Sequence, residues 1–330
     1  MPPPERAPHA GCLSAWPTHT YAWGKGLRAA QDEFEFFLRC FCRQAGEPLW
    51  LLCPLGRLPE ALRDLTGEIR PIAVPYGDVW LRDTGPVFLD PRNAISFAFN
   101  GWGGKYNYPH DAVLARALAK ELDTAIREFP FTCEGGALEW DGAGTVVTTE
   151  PCLLNRNRNP GISRSEAEGV LSQALGARRV IWLGYGLIND HTDGHVDNLA
   201  RFVGPDTVVC TQAVRGDPNE RILAEVAARL RESRTAAGRP LSIDLLPAPG
   251  MVLDDEGQPL PASYTNFYIA NDAVFVPAYG LGSDDRACEV LSSHFPGREI
   301  VSIPSRAILA GGGSLHCVTQ QIPTWSQPTH

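Results

Sequence analysis

A cysteine closes the run Gly311-Gly312-Gly313-Ser314-Leu315-His316-Cys317, three glycines ahead of a single thiol. Consecutive glycines weaken any regular element, so they belong where the backbone takes unusual angles or something must approach it closely. A thiol delivered by such a turn is a candidate nucleophile. The competing reading is a structural cysteine beside a glycine loop, since free cysteine is among the most buried residue types. Four further segments place polar residues beside turn-forming sequence: Asp83 ahead of Gly85-Pro86, Glu134 ahead of Gly135-Gly136, His195 with Asp197 after Gly194, and Asn266 after Tyr264-Thr265.

A thiol, an imidazole and several carboxylates suit a guanidinium substrate. Guanidinium is planar and cationic and pairs with carboxylates through two parallel hydrogen bonds. Two carboxylates gripping its nitrogens would turn its carbon toward a thiolate. A protonated imidazole could then hand a proton to departing ammonia, and the same ring, now neutral, could activate water against the covalent amidino-sulfur intermediate. A bound cation would also favour the thiolate. Simpler roles exist for each group: Asp83 beside Arg82 could be an ion pair, Glu134 could serve its turn, and Asp197 could cap locally. His316 reads as a packing neighbour, because an extended 314–318 would point it away from Cys317. Trp80 reads as core or as a wall of the site. His191 and His195 have the i, i+4 spacing of a helical zinc pair, but Thr192-Asp193-Gly194 between them is not helical in character, and no third ligand follows from spacing. No metal is expected.

Positioning these groups falls to a recurring grammar. Helical spacing runs from Leu27 to Arg43 (Leu27, Ala30, Phe34, Phe37, Leu38, Phe41) after an irregular stretch, 1–24, with Trp16 and Trp23 at the core edge. Strands are expected at 49–54 and 69–74, with a helix over 59–65 between them. Alternating runs then pair as hairpins: 78–88 with 94–99, 134–140 with 145–149, 195–203 with 207–210, and 264–270 with 273–277. Helical segments 111–122, 163–175, 219–233 and 284–294 follow them, and β-rich runs 179–183, 241–246 and 299–303 follow the last three helices. Residues 101–106 read as a flexible aromatic loop. The markers Asp83, Glu134, His195, Asn266 and Cys317 lie 51, 61, 71 and 51 positions apart. Five ββαβ-like units, each offering a polar residue near a strand end, fit a closed ring better than a doubly wound sheet with hairpin insertions. Their marked ends would converge on one cavity, and the 330 residues are expected to form a single domain, 1–330.

Composition narrows the partners. A net charge of −9 provides no basic stripe for nucleic acid and is compatible with a small cation. Nine scattered cysteines without a CxxC pair suggest neither a zinc framework nor a disulfide scaffold. The N-terminal Met1-Pro2-Pro3-Pro4 lacks the apolar core of a signal peptide, and no run reaches membrane-spanning length. A reducing cytoplasm is the expected setting.

An ordered series of motifs resembles the agmatine deiminase family, with bacterial peptidylarginine deiminases as relatives. The series comprises Trp80-Leu81-Arg82-Asp83-Thr84-Gly85-Pro86, Phe99-Asn100-Gly101-Trp102-Gly103-Gly104, Glu134-Gly135-Gly136, Thr148-Thr149-Glu150-Pro151-Cys152-Leu153-Leu154-Asn155-Arg156-Asn157-Arg158-Asn159-Pro160, Thr192-Asp193-Gly194-His195-Val196-Asp197-Asn198, Asn266-Phe267-Tyr268-Ile269-Ala270 and Gly311-Gly312-Gly313-Ser314-Leu315-His316-Cys317. The resemblance spans nearly the whole chain. It implies an α/β fold, a five-bladed α/β propeller (the pentein fold), with Cys317 as nucleophile, His195 as general acid/base, Glu134 orienting it, and Asp83 with Asp197 gripping the guanidinium. Trp80 would border the substrate. The implied reaction is agmatine plus water giving N-carbamoylputrescine and ammonia, without metal or organic cofactor. Alternatives are a deiminase for free or peptidyl arginine, an amidinotransferase, or a silent cation binder. For arginine, Arg201 or Lys105 could meet the carboxylate. The implied partner is a small cationic guanidine; no nucleic acid or membrane is expected, and a homo-oligomer is left open. Ser314 stands where the family usually has Asn, the loop Lys105–His110 is short, and the tail after Pro323 is variant. Ser314 and this loop are where substrate identity is expected to be set.

Overall fold

The structure, a computed structural model, describes residues 1–324; the variant tail from 325 onward lies outside the described residues. The fold is mixed α/β. Four three-stranded sheets share one pattern, in which the first two strands pair antiparallel and the third joins parallel after a helix. The first of these joins Val87–Asp90, Asn93–Ala98 and Ala125–Thr132, with the helix Leu114–Glu121 as crossover. The others are built around Thr145–Thr149, Thr207–Thr211 and Ala273–Ala278, and their crossover helices are Arg164–Leu175, Glu220–Glu232 and Asp284–His294. A fifth sheet has four strands, and a small hairpin pairs Val252–Leu253 with Pro259–Leu260.

The four-stranded sheet brings the chain ends together. His9–Ala15 runs antiparallel to Thr319–Pro323 and parallel to Leu49–Leu52, which pairs in turn with Ile69–Ile72. Residues 9–15 were expected to be irregular. They form a strand buried on both faces, and Gly11, Cys12, Ser14 and Ala15 hide the usual alternation because every side chain is small or enclosed. Gly11 has no alternative: a Cβ there would lie 2.0 Å from the Trp50 ring.

Local signals explain the helices. In Leu27–Gln44 the buried side chains Ala30, Phe34, Phe37, Leu38 and Phe41 recur at three- and four-residue spacing, one stripe of an amphipathic helix. Phe37 meets Phe275 edge-on at 5.5 Å, and Phe41 stacks on the same ring at 5.5 Å. Arg164–Leu175 opens with a Ser163/Glu166 capping box and ends at Gly176 with φ 73°. The expected helix over 59–65 is a 3-10 segment, Glu60–Leu65. No helix among the described residues is long and apolar enough to cross a membrane.

Phe37 is fully buried between Phe41 and Phe275. Phe37→Ala is expected to lower stability by about 3–5 kcal/mol through lost burial and a cavity. A shift of the urea midpoint at constant slope checks this; a change under 1 kcal/mol (about fivefold in the unfolding constant) would contradict it.

Candidate active site

The five marker residues sit in or next to short turns that lead into the antiparallel pairs, ahead of the strand ends expected for them. Asp83 lies in the single helical turn Leu81–Thr84, and Glu134 and His195 precede the 3-10 turns Gly135–Ala137 and Val196–Asn198. Cys317 occupies a turn just before the strand Thr319–Pro323. The backbone there is pinned from three directions. Arg82 N–H donates to the Cys317 carbonyl at 3.1 Å, Cys317 N–H donates to Asn266 Oδ1 at 3.3 Å, and Ser14 Oγ donates to the Val318 carbonyl at 2.9 Å.

Around the Cys317 sulfur the polar groups converge. Asn266 Nδ2 donates to Sγ at 3.2 Å, and Asp197 Oδ2 lies 3.6 Å from it, within reach of the thiol proton. A Cβ on Gly136 would fall 2.7 Å from His195 Nδ1 and 2.9 Å from both Asp197 Oδ2 and Asp83 Oδ1. Those three groups therefore face one small volume, and only glycine fits at 136. His195 is fully buried, its Nδ1 3.8 Å from Asp83 Oδ1 and its Nε2 3.6 Å from Glu134 Oε2, and neither nitrogen has a hydrogen-bond partner.

Each carboxylate is held differently. Asp83 accepts from Gly136 N–H at 2.9 Å and from the Trp102 indole N–H at 2.9 Å. Glu134 Oε1 accepts from Arg158 Nε at 2.7 Å. His316 lies between Asp197 Oδ2, 2.7 Å from its Nδ1, and Glu5 Oε2, 2.9 Å from its Nε2, while Arg201 Nη2 pairs with Glu5 at 2.7 Å. Asp197 Oδ1 is buried with no partner.

Burial opposes every charge here, and the neighbours decide the outcome. For Cys317, burial and then the Asp197 and Asp83 charges push the thiol well above its ordinary pKa. Asp83 is also raised, by burial first and by Asp197 and Glu134, against the pull of His195. For Glu134, His195 and Arg158 overcome burial and lower the pKa; His316 does the same for Asp197. His195 is held well above its usual value: desolvation opposes the charge, but Asp83, then Cys152 and Glu134, outweigh it. With no cation bound, this favours a protonated imidazole beside a protonated thiol.

A cavity of ≈ 160 Å³ reaches Cys317 from the surface, with Asp83, Trp80, Trp102 and Tyr106 in its walls and exposed His191 at its mouth. Trp80 is at once buried and cavity wall; its indole donates to Asp78 at 2.8 Å and stacks on Trp23 at 5.8 Å. The glycine run serves this wall. A Cβ on Gly311 would strike the Trp23 ring at 2.4 Å, one on Gly313 would lie 2.7 Å from the Trp80 ring and 3.0 Å from Cys317 Sγ, and Gly312 has φ 122°. Tyr106 and Tyr108 line the cavity, whereas Ser314 is buried behind it and does not.

Several expectations are corrected. Residues 314–318 are not extended, so His316 turns inward onto Asp197 and is no mere packing neighbour. Arg82 does not pair with Asp83; its guanidinium reaches Gln321 Oε1 at 2.7 Å and Glu5. Gly101–Gly104 forms a tight turn with buried Trp102 at φ 53°, where a flexible loop was expected, because Asp83 anchors the indole. Arg201 is fully buried and held by Glu5 and Glu139, and Lys105 pairs with Asp193 at 2.6 Å. His191 bonds Tyr106 at the mouth, apart from the role of a helical ligand pair. Asn266 could have been promoted from its marker position, and Arg158 from its motif. Glu5 carried no signal.

A family model described as Porphyromonas-type peptidyl-arginine deiminase matches residues 1–323. The chain belongs to that family. An agmatine deiminase of Stutzerimonas stutzeri is 36% identical over 350 aligned residues, covering 97% of this chain and 95% of its own. The solved agmatine deiminase of Enterococcus faecalis is 30% identical with a TM-score of 0.90, covering 98% of this chain and 95% of that one. An agmatine deiminase of C. jejuni, solved with substrate bound after a cysteine-to-serine change, is 26% identical with a TM-score of 0.88 and covers 98% and 97%.

Two substitutions probe this geometry. Gly136→Ala drives a methyl group into the volume shared by His195, Asp197 and Asp83, and kcat/KM is expected to fall at least about 100-fold, the scale of a 1 Å misplacement; a near-normal value would show that this volume is not used. His316→Ala leaves Asp197 and Glu5 buried without the ring between them, an expected loss of about 3–5 kcal/mol in chemical denaturation; unchanged stability would demote the contact.

Proposed function

We propose that the protein is an agmatine deiminase, hydrolysing agmatine to N-carbamoylputrescine and ammonia. The observation that carries this reading is the inner cavity: it ends at a buried thiol flanked by carboxylates, and neither lysine nor arginine lines it. A guanidinium finds its counter-charges at Asp83 and Asp197. An arginine carboxylate would find no cation there, since Arg201 is committed to Glu5 and Glu139. The family's agmatine deiminases support the same substrate.

The residue roles are assigned on that basis. The substrate cation offsets the negative charges that disfavour the thiolate, so Cys317 ionises on binding and its proton goes to solvent, leaving Asp197 charged. The thiolate adds to the guanidinium carbon. Protonated His195, kept charged by Asp83 and Glu134, gives its proton to the departing nitrogen, and ammonia leaves a cationic amidino-thioether on Cys317. Neutral His195 then takes a proton from water as its oxygen adds to the same carbon. Collapse breaks the carbon–sulfur bond, and the departing thiolate takes up the proton shed by the former hydroxyl oxygen, which leaves the neutral ureido product and the resting thiol. Asn266, donating to Sγ, favours the thiolate in both halves. Trp80 and Trp102 enclose the reacting end, and Tyr106 and Tyr108 border the alkyl tail.

We also infer that the five sheets are the blades of a five-bladed α/β propeller forming one domain. The repeated pairing order, the pairing of the chain ends in one sheet and the meeting of turns from different sheets around Cys317 support it.

Ammonia release from agmatine, free arginine and a peptide with an internal arginine tests the substrate. Agmatine is expected to be turned over and the others to be at least about 100-fold poorer, free arginine because its carboxylate is left unpaired and the peptide because its neighbouring backbone does not fit a cavity of ≈ 160 Å³. Preference for either arginine substrate would overturn the assignment. Intact mass should show an amidino adduct that Cys317→Ala abolishes together with turnover; ammonia release by that variant would refute the nucleophile.

A further inference from the structure

Cys152 has no part in the reaction above, yet its side chain faces the same buried groups. It lies in the helical turn Glu150–Leu153, is fully buried, and its Sγ is 3.7 Å from Glu134 Oε2. The same carboxylate oxygen is 3.6 Å from His195 Nε2. The three ligand atoms, one S, one N and one O, all lie within 4.8 Å of one another. A tetrahedral zinc ion with bonds of roughly 2.0–2.3 Å holds neighbouring ligand atoms roughly 3.3–3.7 Å apart. Two of the three edges already have that length.

We propose that Cys152, His195 and Glu134 form an inhibitory site for a thiophilic divalent cation, with Zn²⁺ as the best fit. Three further features point to a ligand there. His195 is completely buried and neither ring nitrogen has a hydrogen-bond partner among the described residues, so Nε2 is available. Glu134 is divided between tasks: Oε1 accepts from Arg158, and Oε2 is turned toward the imidazole and the thiol. Behind the ring, Asp83 Oδ1 stands 3.8 Å from Nδ1, where metal-bound histidines commonly place a carboxylate that fixes the tautomer.

Thiolate, imidazole and carboxylate are a zinc set and a poor one for Mg²⁺ or Ca²⁺, which prefer oxygen. Binding displaces the Cys152 thiol proton, and the Nε2 proton where His195 carries one, both to solvent; nothing is oxidised or reduced. The Arg158 charge beside Glu134 weakens the site, so the metal acts as a reversible inhibitor. Its effect is on the charge of the ring: Nδ1 faces the volume shared with Asp83 and Asp197, and with Nε2 coordinated the ring can no longer be the imidazolium that gives up a proton there. Cys317 need not be touched.

Binding can be tested without assuming any reaction. In protein carrying Cys317→Ala, Cd²⁺ should still produce thiolate charge-transfer absorbance, and adding Cys152→Ser should remove one thiolate equivalent of it. In crystals of the unaltered protein soaked with Zn²⁺, an anomalous peak is expected within bonding distance of Cys152 Sγ, His195 Nε2 and Glu134 Oε2. A peak on Cys317 Sγ alone, or no peak, overturns the proposal. The inhibition arm rests on the deiminase reading. Zn²⁺ should suppress ammonia release reversibly with EDTA, and Cys152→Ser should raise the inhibition constant, taken against that variant's own uninhibited rate, at least tenfold, the smaller loss typical of an outer-shell change. An unchanged constant would place the inhibiting metal elsewhere.

Discussion

A carboxylate removed from water must be matched by a cation or by N–H donors, and four of them are buried close to one another here. Glu5 is matched by Arg201, His316 and, more distantly, Arg82; Glu134 by Arg158; Asp197 by His316 on one oxygen. Asp83 receives only two neutral N–H donors and an imidazole at ion-pair distance, and the second Asp197 oxygen receives nothing. The match is poorest at Asp83, which lines the cavity, and at the second Asp197 oxygen. Burial first, and then the neighbouring carboxylates, raise the Asp83 and Cys317 pKa values together, and a guanidinium is the shape of charge that would relieve this.

The same constraint accounts for parts of the fold that look remote from the chemistry. Glu5 enters the site from the N-terminal segment, and the strand that follows it pairs with Thr319–Pro323, directly after Cys317. The two ends of the chain thus meet at the candidate nucleophile, one supplying the thiol and the other the charge that steadies His316. The sheet pairing holds that register against the cost of closing a very long loop. Gly11 under Trp50, Gly136 under His195 and Gly313 against Trp80 are further terms of the same fit, places where a side chain would push a reacting group or its wall aside.

Hairpin alternation, helical spacing and the marker series carried most of the architecture and placed Asp83, Glu134, His195, Asp197 and Cys317 in one site, because those features are local in sequence and periodic. What the sequence hid is long-range. The His9–Ala15 strand lacked alternation because it is enclosed on both faces, and its partner lies at the other end of the chain. His316 was misread because its direction depends on 314–318 being a turn, which is set by contacts to Asn266 and Arg82. Glu5 could not be read at all: a single acid among prolines becomes significant only when Arg201 and His316 are known to surround it.

The resting protonation pattern follows from these same neighbours and bears on order. A thiol held protonated by burial and by Asp197 and Asp83 is a poor nucleophile, and an imidazole that Asp83 and Glu134 hold protonated is present in its acid form, so Asp83 serves both groups. Before a cation arrives, the site therefore has its acid prepared and its nucleophile suppressed. On the proposed roles, a guanidinium between Asp83 and Asp197 would cancel much of the field that suppresses the thiolate and loosen the Asp83 hold on the imidazolium, while Glu134, secured by Arg158 on its far oxygen, would keep its own hold. Binding would then favour the thiolate while Glu134 retains the imidazolium, a partial separation of the two effects. The separation works because the carboxylates are anchored by different partners: Arg158 for Glu134, His316 for Asp197, and the Gly136 and Trp102 N–H groups for Asp83. Had one cation neutralised all three, the charge that activates Cys317 would also have released the proton from His195.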